Sequence, residues 1–271
     1  MYMSLQESTK TKLKAIAENT QNVYDNGFAN GEMAGKTKEW EEFWDVFQTK
    51  GSRTNYIYGF GGYGWADINF KPKYDIKPTG SASGLFYGSR INDLEAKLEQ
   101  CGVILDTSNC TSLVDGFRES RVIYVPELDC SRVEPDNLQG LFKICTNLDT
   151  VRKIKLGSIG NHTFTDTFHL CTGLYNIEFE GIIGRSVSFR WSPLSVASLK
   201  SIIKHLYNHT GTSNDHAYTL TFKSSAFSAL EAKGLTDEDK EWFEDFENFV
   251  YSDDTTWATV IDDLGWNLTL A

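Results

Sequence analysis

His205 and His209 stand four positions apart, the spacing that puts two imidazoles on one helix face where they could share a metal ion. The glutamate of an HExxH pattern is missing and spacing marks no third ligand, His216 and Asp215 being near only along the chain. The plainer expectation is a surface pair without metal. Gly59, Gly61 and Gly64 in GFGGYG satisfy GxGxxG, which in a dinucleotide fold lets a helix N-terminus approach a pyrophosphate. The segment does come after a plausible strand, TNYIY. The residues after it, WADINFKPKYDI, have no helical periodicity and prolines nearby, so a turn is expected there and no cofactor. No Ser, His and Asp are arranged around a nucleophile elbow. No carboxylate pair stands out from the acidic background. Chemistry is therefore not where this sequence points, and a non-enzymatic protein is expected.

Cys101, Cys110, Cys130, Cys145 and Cys171 are odd in number, widely spaced and free of any CxxC pair, which argues against both a disulfide framework and a thiolate zinc site. They read as reduced thiols packing as small hydrophobes. The formal net charge of the 271 residues is −11. From Glu231 to Ala271, twelve acidic residues against Lys233 and Lys240 give −10. The preceding portion is close to neutral, so neither part supplies the basic stripe that phosphate backbones require, and nucleic acid is excluded as a partner. The first residues hold no apolar run long enough for a signal peptide or a span, so no membrane insertion is expected. Asn109, Asn161, Asn208 and Asn267 begin sequons but read as turn residues.

The elements that would carry any function are repetitive. Phe60, Phe86, Phe117, Phe142 and Phe168 recur at separations of 26, 31, 25 and 26, a period in the range of repeat architectures. Cys145 and Cys171 lie three positions after their phenylalanines, where Ser89 and Ser120 stand in the preceding units. Leu148 and Leu174 lie six after. GLFKICTNLDTVRKIKL and DTFHLCTGLYNIEFEGI each lead from a turn with Phe and Cys, through Leu, into a short alternating strand. Ile154 with Leu156 and Ile177 with Phe179 face inward, and Ile123 with Val125 supply the equivalent strand one unit earlier. Stacked units would form buried ladders of Phe and Cys about 4.8 Å apart. The fold expected is α/β and β-rich: an irregular leucine-rich-repeat solenoid over residues 51–214, with an N-terminal helical arm and cap over 1–50 and an acidic, α-containing C-terminal cap over 215–271.

Within this frame INDLEAKLEQC predicts a short helix, Ser195 an N-cap for a helix through Leu206, and HAYTLTF a strand. Further helices are expected over 223–233, after Thr236 with Trp242, Phe243, Phe246, Phe249 and Val250 inward, and just before Gly265. In the arm, Leu13, Ile16, Thr20 and Val23 keep heptad spacing, and the aromatic stripe Trp40 to Phe47 would cover the first repeat. Residues 1 to about 35 lack such a neighbour, so the arm is expected to self-associate or dock on another protein. By alternation, Tyr124, Lys153, Lys155, Asn176 and Glu178 point outward from the strands and are the candidate binding residues.

The spans LDTSNCTSLVDGF, LFKICTNLDTV and TFHLCTGLYNIEF resemble the BspA-like leucine-rich repeat family of bacteria and their phages. The flanking EEFWDVFQTKGSRTNY, GYGWADINFKPKYDI and LSVASLKSII are similar to the gut-bacterial and phage variety described as minor structural or tail-associated proteins. The similarity covers roughly residues 40–235. It implies a structural or adhesive protein, a virion accessory component presenting a repeat surface to a protein or cell-surface ligand, with the arm docked on a virion protein. It brings no catalytic residues. The competing expectation is an intracellular phage or prophage module of the bacterial cytoplasm that sequesters a host factor.

Overall fold

The computed structural model describes residues 60–61, 70–72, 74–244 and 254–271. The expected arm at 1–50, Gly59 and Gly64 of the glycine motif, the TNYIY strand, and Phe246, Phe249 and Val250 lie outside the described residues.

Four successive turns share one backbone design. Each phenylalanine sits between two residues of positive φ, placed two positions before and two after it: Gly84 and Gly88 around Phe86, Asp115 and Glu119 around Phe117, Gly140 and Ile144 around Phe142, Asp166 and Leu170 around Phe168. Left-handed residues at both shoulders turn the chain so that the ring between them points inward. The rings then stack: Phe60 on Phe86 at 5.3 Å between centroids, Phe86 on Phe117 at 5.0 Å, Phe117 on Phe142 at 5.3 Å and Phe142 on Phe168 at 5.9 Å, with planes 21–26° apart. These are offset stacks within the favourable range. The column continues through Phe189 at 4.5 Å and Phe222 at 6.1 Å to Phe227 at 5.8 Å. The backbone joins the rungs, as where Phe117 N–H donates to Leu141 O and Phe142 N–H to Thr167 O. Beside the rings, the Cys145 thiol donates to Phe117 O at 2.8 Å and Cys171 to Phe142 O at 3.0 Å. Cys110, Cys130, Cys145 and Cys171 are buried and unpaired by disulfides. Burial pushes the Cys110 thiol up to about 11 and Cys145 to about 12, so both stay protonated and unreactive.

The strands that come after these turns do not form the solenoid expected from the sequence. β1 (Tyr124–Asp129), β2 (Thr150–Lys155) and β3 (Asn176–Glu180) make one parallel sheet in that order. β4 (Val187–Phe189), β5 (Tyr218–Phe222) and β6 (Trp266–Leu270) make a second, separate one. Neither closes on itself, and no continuous leucine-rich-repeat ladder joins them. The cause lies at the free edge of β3. Ser195 caps helix α2 (Val196–Lys204), its hydroxyl accepting from Ser198 N–H at 3.2 Å. The helix lies along β3, and its serines take the hydrogen bonds that another strand would have taken: Ile177 N–H donates to Ser198 Oγ at 2.8 Å and Phe179 N–H to Ser201 Oγ at 3.0 Å. With its edge N–H groups satisfied in this way, β3 offers little to a fourth strand. The ladder restarts at β4, and because β4 pairs with β5, the second sheet joins residues on both sides of position 214.

The other helices obey local signals. Helix α1 (Leu94–Cys101) is capped by Asp93, whose carboxylate accepts from Ala96 N–H at 2.9 Å, and is stopped by Gly102 at φ 66. Helices α3 (Ser224–Glu231), α4 (Asp237–Glu244) and α5 (Trp257–Asp263) lie in the C-terminal part. α5 opens on a capping box of Thr256 and Thr259. The indoles of Trp257 and Trp266 are fully buried and donate to Gly234 O at 3.1 Å and Tyr207 O at 2.8 Å. Among the described residues no helix is long and apolar enough to cross a membrane.

Candidate binding surface

The inward residues of the first sheet fall in registered rows, Val125 with Val151 and Ile177, then Leu128 with Ile154 and Phe179. Strict alternation fails in β1 and β2, where the buried positions are three apart. Pro126 with Glu127, and Arg152 with Lys153, therefore form outward pairs, and the register slips between Val151 and Ile154 so that Glu178 alone answers the second pair. For the same reason Ile123, expected inside, is 45% exposed just before β1.

Of the five residues expected on the outer face, Asn176 and Glu178 are exposed and Tyr124, Lys153 and Lys155 half-buried. Tyr124 aligns with Thr150 and Asn176, and the Asn176 amide donates to Thr150 Oγ1 at 3.4 Å. Burial and the Glu95 carboxylate raise the pKa of the Tyr124 hydroxyl, keeping it neutral. Lys155 lies between Asp129 at 3.6 Å and Glu180 at 3.7 Å, while Lys153 reaches Glu180 at 3.4 Å. Arg152 pairs with Glu95 of α1. These pairs are solvent-exposed and contribute little to stability; their effect is to fix a row of alternating charge across three strands.

The structure adds residues at the margin of this face that the sequence reading missed. Lys200 and Lys204, one turn apart on α2, both reach Asp239 of α4, with Lys204 at 3.0 Å. Asp239 is 2% exposed and also accepts from Thr236 N–H at 3.0 Å and from the Thr236 hydroxyl at 2.7 Å. Burial alone would raise its pKa, but Lys200, Thr236 and Lys204 together bring it down to about 2. Trp242 of α4 donates its indole N–H to Lys204 O at 3.2 Å, and the Lys204 ammonium lies 5.4 Å from the ring centre. The Thr236 to Asp239 spacing and the Lys200 to Lys204 spacing were both visible as local helix patterns. Nothing local said that they meet.

His205 and His209 are engaged separately. His205 Nδ1 bonds Ser201 O at 2.7 Å. His209 is buried, bonds Gly184 O through Nε2 at 3.1 Å, and is surrounded by Tyr207, Tyr218 and Trp266 at 4.8, 5.0 and 5.4 Å between ring centroids. Burial lowers its pKa. Asp215 is taken by His216 at 2.8 Å. Among the described residues no group of three or more His, Cys, Asp or Glu side chains is placed to hold a metal. Of the three motif glycines, Gly61 alone is among the described residues.

Compared with known proteins, the chain matches no family model, no curated sequence and no solved structure.

Proposed function

We propose that this chain is a non-enzymatic structural or adhesive binding protein, an accessory component of a phage virion, which presents the outer face of β1–β3 to a protein or cell-surface ligand. The observation that carries the binding part is the face itself. Three paired strands set Glu127 against Lys153, and Lys155 between Asp129 and Glu180, with α1 at one margin and α2 at the other. A rigid scaffold that fixes a patterned charged surface gives specificity and register to an encounter more than raw affinity. The virion role draws on the resemblance of the repeats to the BspA-like tail-associated variety, whose Phe and Cys positions occupy stacked, buried rungs here.

The test is to express an epitope-tagged chain in infected cells, purify particles by density gradient and quantify the chain by mass spectrometry. A fixed copy number per particle supports the virion role. Absence from particles, with recovery in a soluble complex with a host protein, replaces it with a sequestering module.

A further inference from the structure

Because Ser195 starts α2, positions Ala197, Lys200, Ser201, Lys204 and His205 fall on one side of the helix. That side, the outer residues of β3 and Trp242 enclose an open groove of about 500 Å³, within the range of pockets that hold small ligands or short peptide segments. Its two walls carry opposite, unbalanced charge. On the helix wall Lys200 and Lys204 share the single carboxylate of Asp239, which leaves one positive charge over. On the sheet wall the groove is lined by Glu178, Glu180 and Lys153; Lys153 pairs with Glu180, Lys155 outside the lining is held also by Asp129, and Glu178, exposed, has no ion pair among the described residues, which leaves one negative charge over. At the margin Trp242 is 47% exposed with its only donor committed to Lys204 O, so it has ring surface rather than a hydrogen bond to offer.

We propose that this groove docks a mixed-charge peptide segment of the partner protein, an acidic side chain against Lys200 and Lys204, a basic one against Glu178, and an apolar one on Trp242. The proposal rests on the binding reading above and names the chemistry of the segment bound. A polyanion fits badly, because the Glu178 wall repels it. A purely basic segment leaves the lysine wall unanswered.

The probe is the N-acetylated, C-amidated tripeptide Glu-Leu-Lys, titrated into the full chain and followed by calorimetry and by ¹⁵N amide shifts. Analogues carrying Gln for Glu, or Gln for Lys, report each wall separately. Millimolar binding is expected, with shifts confined to β3, α2 and Trp242, and about five-fold weakening in each analogue, as for one partly exposed charge contact. Glu178→Gln should weaken the parent peptide to the same extent with no change in thermal midpoint, because its carboxylate has no partner to lose. It should leave the Gln-for-Lys analogue unaffected. Glu178→Lys should turn the preference toward Glu-Leu-Glu. Equal affinity for all three peptides, shifts outside the groove, or unchanged binding by Glu178→Gln overturns the proposal. Peptides that fail to bind a chain found in particles refute this groove and leave the binding reading standing. Peptides that bind a chain absent from particles do the reverse to the virion role.

Discussion

Truncating Phe142 tests the stacked column directly. Its ring is fully buried, 5.3 Å from Phe117 and 5.9 Å from Phe168, and its backbone N–H is already committed to Thr167 O. Phe142→Ala removes the ring and leaves a cavity that two flanking rings on fixed turns cannot fill. Such truncations cost about 3–5 kcal/mol, of which the two ring contacts supply about 0.5–1.5 kcal/mol each. With a urea m-value of about 2.5 kcal/mol/M, the midpoint should fall by roughly 1.5 M at unchanged slope. Ile123→Ala is the control: the side chain is 45% exposed beside the same sheet, and its loss should shift stability by no more than about 0.5 kcal/mol. The double variant Phe117→Ala with Phe142→Ala should cost less than the two singles together, by more than about 0.5 kcal/mol, because the rings share a contact. If Phe142→Ala moves the midpoint no further than Ile123→Ala, the column does not hold the turns together.

Three further outcomes are expected at individual sites. Asp239 has a folded pKa of about 2, below its ordinary 3.8, so its contribution of about 2 kcal/mol is fully present above about pH 4 and is lost as pH falls toward 2. Asp239→Asn should lower stability at neutral pH and flatten that limb of the stability–pH curve; parallel curves for variant and parent would contradict the assignment. Ile144 is β-branched at φ 64, a conformation that costs a non-glycine residue about 1–2 kcal/mol, so Ile144→Gly should raise the denaturation midpoint by about 1 kcal/mol equivalent, and a clear loss would show that packing outweighs strain. A methyl at Gly184 would stand 2.1 Å from Gly160 O, whereas one at Gly102, φ 66, meets nothing within 4 Å; Gly184→Ala should cost more than about 2 kcal/mol and Gly102→Ala about 1, and melts that rank them the other way would place the glycine contact elsewhere.

The parts of the molecule set by local spacing were legible. The Phe and Cys periods reported the rungs because each ring stands between left-handed shoulders that repeat with it, and glycine at 84, 88 and 140 marks some of these shoulders. Ser195 and Thr236 gave helix starts because capping is local. The two-sheet division was not legible, since it depends on Ser198 and Ser201 meeting the edge of β3 some twenty positions away, and a serine on a helix face gives no sign of which backbone it will reach. Alternation placed Lys153, Lys155 and Glu178 outward but missed the three-residue spacing of Val122, Val125 and Leu128 that leaves Ile123 exposed. It could not find the groove, whose walls come from β3, α2 and α4 and exist only once these have packed.

The serine contacts that close β3 also bear on how the molecule fails. Inward rows of Val, Ile, Leu and Phe make the first sheet a template that an extended apolar segment could join, and at the β3 edge the backbone N–H groups are covered by one short helix, α2. Wherever α2 comes away, the N–H groups of Ile177 and Phe179 lose their serine partners and are open to a neighbouring extended chain. Where such capture competes with refolding, the expected sign is a melting midpoint that shifts with scan rate and protein concentration.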